Sequence, residues 1–376
     1  MRIAFLTLNA YDMLTGDGET VGGAQLQQVL IGRELADRGH DVVFIENESD
    51  HKREGHVDGI RVVTRPNRTD GNPLSRAALR SLDLMTLLGR INPDACYVRM
   101  PLFELLPTAA YCALSNTRLI YGFAHDSELG DSPVAFETSL TDNSLYRTAI
   151  RTARSTADTL ITQNEYQARL AREQYDCPVA KIPNGYQPDD EPGQPPFSED
   201  RPVVLWVSTL RPWKRPELVL RLADEIPEAL FVIIGPESDD APKLYTEIQQ
   251  GAGERENVRF EGFVPYDEID AYFAAADIFC NTSTDEGFPN TFLQSWAYGT
   301  PVASLNVNPD GVISSEDIGI YAEGNLSTLS ATLSELLDEP PRLEMLSKGA
   351  LKHFERNHGI DATTDRYERI LMNGDS

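Results

Sequence analysis

The sequence predicts an α/β protein built from two Rossmann-like, doubly wound domains that face each other across a cleft. In both halves of the chain, short apolar runs typical of strands alternate with helical segments, a pattern that favours parallel sheets covered by helices. A stretch dense in proline and aspartate, ending at Pro202, separates the two halves. At 376 residues the chain is also too long for one ordinary core. We place the domain boundary near Asn184.

The first half opens with a strand, a glycine pair and a helix. The strand is predicted from Arg2 to Asn9, and a polar segment from Tyr11 to Val21 leads to Gly22 and Gly23. A helix from Ala24 to Arg38 follows, because its apolar positions recur at helical spacing. In open parallel sheets the turn between the first strand and the first helix is a place where phosphates bind.

The remaining predicted elements continue the alternation. In the first half the strands are 41–46, 59–64, 94–99, 118–123 and 159–162, and the helices are 74–90, 102–114 and 144–155. The interval 48–72 is loop-like apart from its one strand. In the second half the strands are 203–208, 229–235, 258–261, 278–281 and 302–304, and the helices are 216–224, 244–251, 266–276, 290–298, 326–337, 342–354 and 361–372.

Charge excludes one class of partner. The net charge of -26 argues against nucleic-acid binding, because phosphate backbones need clustered lysine and arginine. The 59 acidic residues are spread over the whole chain rather than gathered in a tail, and lysines are few. Diffuse acidity of this kind is a surface trait, and it predicts a halophilic protein adapted to high salt.

Targeting signals and cysteine motifs are absent from the sequence. No apolar run approaches the roughly 20 residues that span a bilayer. The stretch from Met1 to Ala10 lacks the basic region and the cleavage site of a signal peptide. We therefore predict a cytoplasmic protein, and peripheral contact with the inner membrane surface stays open. Cys96, Cys112, Cys177 and Cys280 show no paired spacing, which favours reduced thiols.

The most informative stretch runs from Asp285 to Ala303. Gly287 and Pro289 permit a close approach of the backbone to a ligand, and a helix that starts at about Asn290 directs unpaired N–H groups to the same place. Glu286 would repel a bare phosphate but can accept hydrogen bonds from hydroxyl groups. The combination predicts a polyhydroxylated, phosphorylated ligand such as a sugar nucleotide.

Motifs along nearly the whole chain resemble those of the GT-B-fold retaining glycosyltransferases of family 4, also called glycosyl transferases group 1. They are Gly22-Gly23-Ala24-Gln25, Arg38-Gly39-His40-Asp41-Val42, Asn184-Gly185, Arg211-Pro212-Trp213-Lys214-Arg215-Pro216-Glu217, Ala276-Asp277, and Glu286-Gly287-Phe288-Pro289-Asn290 through Gly299-Thr300-Pro301-Val302. Their order and spacing are specific, although each is weak alone. The resemblance implies an acceptor-side domain at 1–184, a donor-binding domain at 185–357, and a final helix within 358–376 that packs back on the first domain.

The resemblance implies a donor site around Glu286. In this family a Glu-x7-Glu motif contacts the donor hexose with its first acid and the ribose with its second. Glu286 holds the first position, whereas Gln294 holds the second. An amide both donates and accepts hydrogen bonds but is a weaker acceptor than a carboxylate, which predicts weaker donor binding or a different donor preference. The donor-binding block also includes Gly287, Phe288, Pro289 and Asn290.

The resemblance also implies that basic side chains bind the diphosphate, and these lie in the loop after the strand 203–208. Lys214 matches the family lysine that binds the diphosphate. The family arginine falls on Thr209 in the commonest alignment, and Arg211 stands close by as a substitute, with Arg215 in reserve or on the surface. Positive groups preorganised around the departing diphosphate would lower the barrier to transfer.

Other implied contacts lie in both halves. His125 matches a histidine that faces the donor sugar, and Gly22 and Gly23 would offer backbone N–H groups to the diphosphate. Phe263 and Val264 match the base pocket. A structural histidine and a simple tight turn are the alternatives for the first two assignments.

The acceptor side is implied by strand ends in the first half, where Arg99, Gln163 and Asn164 lie. Solvated loop ends are an equal alternative. No Asp-x-Asp pair or histidine cluster is placed beside the diphosphate, so we predict neither a metal nor a cofactor, with the nucleoside diphosphate sugar as donor substrate.

The sequence-based hypothesis is therefore a retaining hexosyltransferase with a front-face mechanism, whose acceptor is a glycan, a lipid-linked glycan or a small molecule. Two alternatives stay open. One is a phosphorylase or a sugar-nucleotide epimerase on the same fold, and the other is a sugar-nucleotide-binding subunit without catalysis.

Overall fold

The computed structural model describes residues 1–7, 10–15, 22–47, 55–66, 68, 72–100, 102–130, 144–194 and 201–373. The chain divides into two compact units. The N-terminal unit comprises Met1–Gly185 and Ile360–Ser376, and the C-terminal unit comprises Tyr186–Gly359. The predicted ends at Asn9 and Val21, and part of the predicted linker at 195–200, lie outside the described residues.

The N-terminal unit is built on an eight-stranded sheet within the described residues. Its strands are β1 (Arg2–Leu6), β2 (Asp41–Asn47), β3 (Gly55–Val57), β4 (Ile60–Arg65), β5 (Ala95–Arg99), β6 (Arg118–Gly122), β7 (Thr159–Thr162) and β8 (Val179–Lys181), in the order β3-β4-β2-β1-β5-β6-β7-β8. All neighbouring pairs are parallel except β3 with β4. The helices are α1 (Ala10–Thr15), α2 (Gly23–Asp37), α3 (Pro73–Ile91), α4 (Leu102–Ser115), α5 (Ser144–Ser155) and α6 (Glu165–Gln174).

Local chemistry explains why these elements form where they do. All five residues of β5 are buried, as expected for a parallel strand covered on both faces. Helix α3 starts with Asn72, whose side chain accepts a hydrogen bond from the backbone N–H of Ser75, and with Pro73 at its first position. The antiparallel β3–β4 pair turns at Asp58-Gly59, both with positive φ, which is the sequence and geometry of a tight hairpin.

Within the residues that the structure describes, the C-terminal unit has a six-stranded parallel sheet. Its strands are β9 (Val203–Val207), β10 (Leu230–Ile234), β11 (Val258–Gly262), β12 (Ile278–Asn281), β13 (Val302–Ser304) and β14 (Gly319–Tyr321), in the order β11-β10-β9-β12-β13-β14. The helices are α7 (Glu217–Glu225), α8 (Pro242–Gly253), α9 (Ile269–Ala275), α10 (Asn290–Ala297), α11 (Val312–Ser315), α12 (Leu326–Leu337) and α13 (Pro340–Asn357). Parallel β9 and β12 are neighbours, so their carboxyl ends meet at one edge of the sheet.

The final helix, α14 (Ile360–Asn373), belongs to the N-terminal unit. Arg38 at the end of α2 bonds to Glu368 at 3.0 Å, and Nε2 of His40 lies 2.8 Å from the same carboxylate. The ring of Tyr367 packs edge-on against the ring of Tyr97, with centroids 5.7 Å apart. Packing of the last helix against α2 and β5 therefore includes both apolar contacts and ion pairs.

The structure confirms the α/β class but corrects several local predictions. Helix α1 occupies the start of the segment that we predicted to be polar loop, and β3 adds a second strand to an interval predicted to hold one. Helix α6 and strands β8 and β14 were also not predicted. The three missed strands have three residues each, which is too short for an alternating pattern to stand out.

Candidate functional site

Lys214 and Glu286 meet at the carboxyl edge of the C-terminal sheet. Lys214 ends a short 3-10 helix in the loop after β9, and Glu286 lies in the loop between β12 and α10. Nζ of Lys214 donates to Oε1 of Glu286, and the two side chains are only 18% and 15% exposed. Because β9 and β12 are adjacent and parallel, the fold brings together two charges that are far apart in the sequence.

Hydrogen bonds from the end of β12 hold both loops in place. The hydroxyl of Thr282 donates to the carbonyl of Lys214 at 2.7 Å and accepts from Nε1 of Trp206 at 2.9 Å. The backbone N–H of Thr284 donates to the carbonyl of Trp213 at 2.8 Å. Ser283 Oγ lies 2.8 Å from Oε1 of Glu286. The Lys214 loop is thus tied to the Glu286 loop by backbone as well as by charge.

The loop after Glu286 is anchored by an aromatic side chain. Gly287, Phe288 and Pro289 are buried, and Asn290 begins α10. The Phe288 ring is 5.2 Å from the His358 ring and 6.3 Å from the ring of Trp296. Since the loop cannot move without disrupting this packing, the start of α10, with its N–H groups, is held beside Glu286.

A buried amide follows on α10. Gln294 is 5% exposed, and no hydrogen bond joins its side chain to any residue that the structure describes. Gln294 is therefore not an exposed residue of the helix surface. Its amide is therefore able to bond to water or a ligand.

The other cations of this loop differ in their surroundings. The Arg211 guanidinium lies over the ring of Trp213, 5.0 Å from its centroid, and its buried Nε has no hydrogen-bond partner among the described residues. Arg215 has a positive φ of 53° and lies 3.7 Å from a carboxylate oxygen of Glu217. Thr209 is half-buried. Stacking on an indole preorganises Arg211, whereas Arg215 is engaged in a local ion pair.

The residues predicted for a base pocket follow β11. Gly262 takes a positive φ of 69°, and its carbonyl accepts from the backbone N–H of Gly235 at 2.8 Å. Phe263 is 36% exposed, which makes it one of the exposed large hydrophobic side chains, and Val264 is half-buried. The turn thus presents an aromatic face and a backbone to solvent, which suits stacking against a planar base.

His125 lies in the N-terminal unit, just after β6. It precedes a 3-10 helix over Asp126–Glu128, and its Nδ1 accepts from the backbone N–H of Ser127 at 3.1 Å. In a neutral ring, an accepting Nδ1 places the proton on Nε2. Oε1 of Glu128 accepts from the backbone N–H of His125 at 3.2 Å, which completes a capping box.

A buried network of hydrogen bonds among Glu128, Arg154 and Tyr121 lies next to His125. Arg154 Nη2 donates to Oε2 of Glu128 at 2.6 Å and to the hydroxyl of Tyr121 at 2.7 Å. Burial raises the pKa of the Tyr121 hydroxyl well above its ordinary value. Because Glu128 is held by this network, the backbone of His125 is fixed.

Gly22 and Gly23 lie at the start of α2, where both are exposed. The carbonyl of Gly22 accepts the first helical bond, from the backbone N–H of Leu26 at 2.9 Å. Gly22 is thus the N-cap of a 15-residue helix, and as a glycine it supplies no side-chain acceptor for the first turn.

The three predicted acceptor-side residues are largely engaged within the N-terminal unit. Nη2 of buried Arg99 donates to Oδ1 of Asn184 at 3.0 Å. Nε2 of Gln163 donates to the carbonyl of Phe123 at 2.8 Å. The side chain of Asn164 caps α6, accepting from the N–H of Gln167 at 2.7 Å. These bonds position the strand ends, and the buried Nε of Arg99 has no hydrogen-bond partner among the described residues. Contact of the three side chains with an acceptor stays a prediction.

Two family models match the chain. The model described as glycosyl transferases group 1 matches residues 188–353, and the model described as glycosyltransferase family 4 matches residues 21–190. Together they extend from residue 21 to residue 353. The chain belongs to the group 1 glycosyltransferases.

One relative of this chain is a D-inositol 3-phosphate glycosyltransferase from Thermobispora bispora. The two sequences are 33% identical over 184 residues. The match covers 46% of this chain and 43% of that protein. The chain thus spans less than half the length of this curated relative.

Solved structures show the fold over nearly the full length. A sucrose-phosphate synthase from Thermosynechococcus elongatus superposes with a TM-score of 0.80 at 15% identity and covers 98% of both chains. An Anabaena protein, Alr3699/HepE, solved in complex with UDP-glucose, superposes with a TM-score of 0.73 at 17% identity and covers 99% of both chains. The predicted GT-B fold, with two Rossmann-like domains, is therefore confirmed.

Sequence reasoning missed the residues that hold Lys214 and Glu286 in this family member. Asn281, Thr282 and Ser283 form a polar run at the end of β12, and all three are buried. The signal was present, because a polar run directly after an apolar strand marks the ligand edge of a parallel sheet.

The described part of the chain shows neither a metal cluster nor a membrane span. No three histidine, cysteine or acidic side chains come together there in a way that could hold a metal ion. None of the helices in those residues has the length and apolar character needed to cross a bilayer. Metal independence stays a prediction.

Proposed function

We propose that the protein is a retaining glycosyltransferase that transfers a hexose from a nucleoside diphosphate sugar to an acceptor hydroxyl. The Lys214–Glu286 pair carries this proposal, since it places a cation and a hydroxyl acceptor side by side at the carboxyl edge of a parallel sheet. A diphosphate needs the first group and a sugar needs the second. The family membership and the adjacent start of α10 support the same ligand.

The chemistry of the step follows from these groups. The bond between the anomeric carbon and the diphosphate oxygen breaks, and the bond to the acceptor oxygen forms on the same face of the sugar. The acceptor proton passes to the departing diphosphate, whose growing negative charge Lys214 and Arg211 stabilise. Glu286 accepts, and Nε2 of His125 donates, hydrogen bonds with sugar hydroxyls.

The donor is the first unknown to resolve. The Anabaena neighbour was solved with UDP-glucose, so UDP-glucose is the first donor to test, beside ADP-glucose and GDP-mannose. For the acceptor we propose a glycan, a lipid-linked glycan or a small molecule.

The test is a donor panel screened by thermal shift in high KCl, followed by mass spectrometry of products formed with candidate acceptors. Glu286→Ala and Lys214→Ala should each lower turnover at least about 100-fold, because each removes a group that contacts the transition state. Lys348→Ala is the matched control, since Lys348 forms an exposed pair with Glu344 in the same unit and should retain full activity. Wild-type rates in both site variants would overturn the proposal.

Two further measurements separate the alternatives. Incubation with donor alone would convert the sugar if the protein were an epimerase, and saturable nucleotide binding without any transfer would indicate a binding subunit. EDTA should leave turnover unchanged, and a loss that magnesium or manganese restores would contradict metal independence.

A further inference from the structure

The two oxygens of the Glu286 carboxylate have different surroundings. Oε1 accepts from Nζ of Lys214 and from Oγ of Ser283, the latter at 2.8 Å. Oε2 has no hydrogen bond to any residue in the described part of the chain. The protein therefore holds one oxygen and leaves the other for a hydroxyl donor.

Asn281 sets the direction of the Ser283 hydroxyl. Nδ2 of Asn281 donates to Ser283 Oγ at 3.3 Å, and Oδ1 of Asn281 accepts from the backbone N–H of Ser283 at 3.2 Å. Both bonds are satisfied by the same assignment of the amide oxygen and nitrogen of Asn281. Since Ser283 Oγ accepts from Asn281, its own proton is directed to Glu286.

Burial restricts the movement of Asn281 and Ser283, which form this chain of hydrogen bonds to Glu286. Asn281 and Ser283 are 5% and 2% exposed, and Nδ2 of Asn306 fixes the carbonyl of Ser283 at 3.1 Å. A hydrogen bond to a charged acceptor away from water is stronger than one at the surface. Ser283 is thus held in a single geometry without help from Lys214.

We propose that Ser283 is a positioning residue that holds Glu286 for the donor sugar once Lys214 has turned to the diphosphate. This inference rests on the proposed function. A bound diphosphate competes with Glu286 for Nζ of Lys214, which weakens the ion pair at the moment when Glu286 must keep its place. Ser283 then retains Oε1, so that Oε2 accepts from a sugar hydroxyl.

The test compares a sugar nucleotide with its nucleoside diphosphate by calorimetric titration of the full chain. The probes are UDP-glucose and UDP, or the ADP-glucose or GDP-mannose pair if that pair gives the larger thermal shift with the wild type. Ser283→Ala should weaken binding of the sugar nucleotide about tenfold and weaken binding of the diphosphate much less, because only the sugar makes a direct contact with Glu286. Ser283→Thr, which restores a hydroxyl, should recover most of the loss.

Ser334→Ala is the matched control. Ser334 Oγ donates to a carboxylate oxygen of Glu228 at 3.4 Å at an exposed place in the same unit, and its removal should change neither affinity. Unchanged affinity for the sugar nucleotide in Ser283→Ala, or an equal loss for both ligands, would overturn the inference. A wild type that binds no probe and forms no product would instead overturn the proposed function.

Discussion

Nζ of Lys214 and Oε1 of Glu286 form an ion pair across 72 residues of sequence, at an edge where both side chains are largely withdrawn from solvent. The pair neutralises the two groups that we assign to the diphosphate and to the sugar. A buried charge alone is costly, so mutual pairing lets both groups stay in the site without a ligand. A bound donor must then replace part of this ion pair. The affinity for the donor therefore depends on both its diphosphate and its sugar.

The first prediction concerns the coupling within this pair. Lys214→Ala and Glu286→Gln should each destabilise the C-terminal unit, and the double variant should lose less than the sum, with a coupling of about 1–3 kcal/mol. Urea unfolding followed by tryptophan fluorescence reports this unit alone, because Trp206, Trp213 and Trp296 all lie in it.

The exposed pair of Lys348 and Glu344 is the control for that cycle. Its side chains are 75% and 68% exposed, and its coupling should be at most about 0.5 kcal/mol. Equal coupling in the two pairs would show that burial of Lys214 and Glu286 does not increase the coupling free energy of their ion pair.

The pair also marks the limit of what the sequence predicts. Lys214 and Glu286 were located because each follows an apolar strand within a recognisable motif. Their contact was not predictable, since it depends on β9 lying beside β12 while β10 and β11 lie on its other side. Strand order is set by packing of the whole unit, and no local pattern encodes it.

The acceptor-side residues also show that hydrogen-bond partners cannot be predicted from the sequence alone. Gln163 and Asn164 stand at a strand end, where a pattern favours ligand contact. In the structure the Gln163 amide binds the Phe123 carbonyl and Asn164 caps α6, while contact with an acceptor stays a prediction. A sequence shows where a polar group lies along a strand, but the partner that satisfies it comes from another part of the fold.

The second prediction separates two tasks of His125. His125→Asn should keep an N-cap acceptor for the backbone N–H of Ser127 but lose the donor on Nε2. Turnover should therefore fall at least about tenfold while the melting temperature stays near that of the wild type. His125→Ala should lose both, with a cost of about 1 kcal/mol in stability. Full activity in His125→Asn would restrict the histidine to a structural role.

The third prediction concerns salt. The chain carries 59 acidic and 33 basic residues, so self-repulsion opposes the folded state at low ionic strength. Added KCl screens this repulsion, and the melting temperature should rise steeply up to molar KCl. Sucrose at equal osmolality is the control, since it strengthens apolar burial without screening charge. A melting temperature that stays constant or falls with KCl would contradict salt adaptation.

The fourth prediction concerns Glu368, which ties α14 to the end of α2. Hydrogen bonds from His40 and then Arg38 lower the pKa of the Glu368 carboxyl. Its direct partners are Arg38 and His40. Asp365 shares Nη1 of Arg38 with Glu368, while Glu34 and Asp361 lie beside the other nitrogens of that guanidinium. Since the pKa is lower in the folded protein than in the unfolded chain, the stabilisation is complete above the ordinary value of 4.5 and is lost as pH falls through the lowered pKa.

Glu368→Gln should therefore destabilise the N-terminal unit at pH 6, and its difference from the wild type should shrink as the pH falls below 4.5. Tryptophan fluorescence does not report this unit, but its buried thiols Cys96 and Cys112 do, so pulsed thiol labelling with mass spectrometry measures its unfolding. Glu173→Gln, which removes an exposed pair with Arg169 on α6, should change little at either pH. A difference between Glu368→Gln and the wild type that stays constant down to the lowest pH would mean that packing of Tyr367 against Tyr97, rather than the carboxylate, holds the last helix.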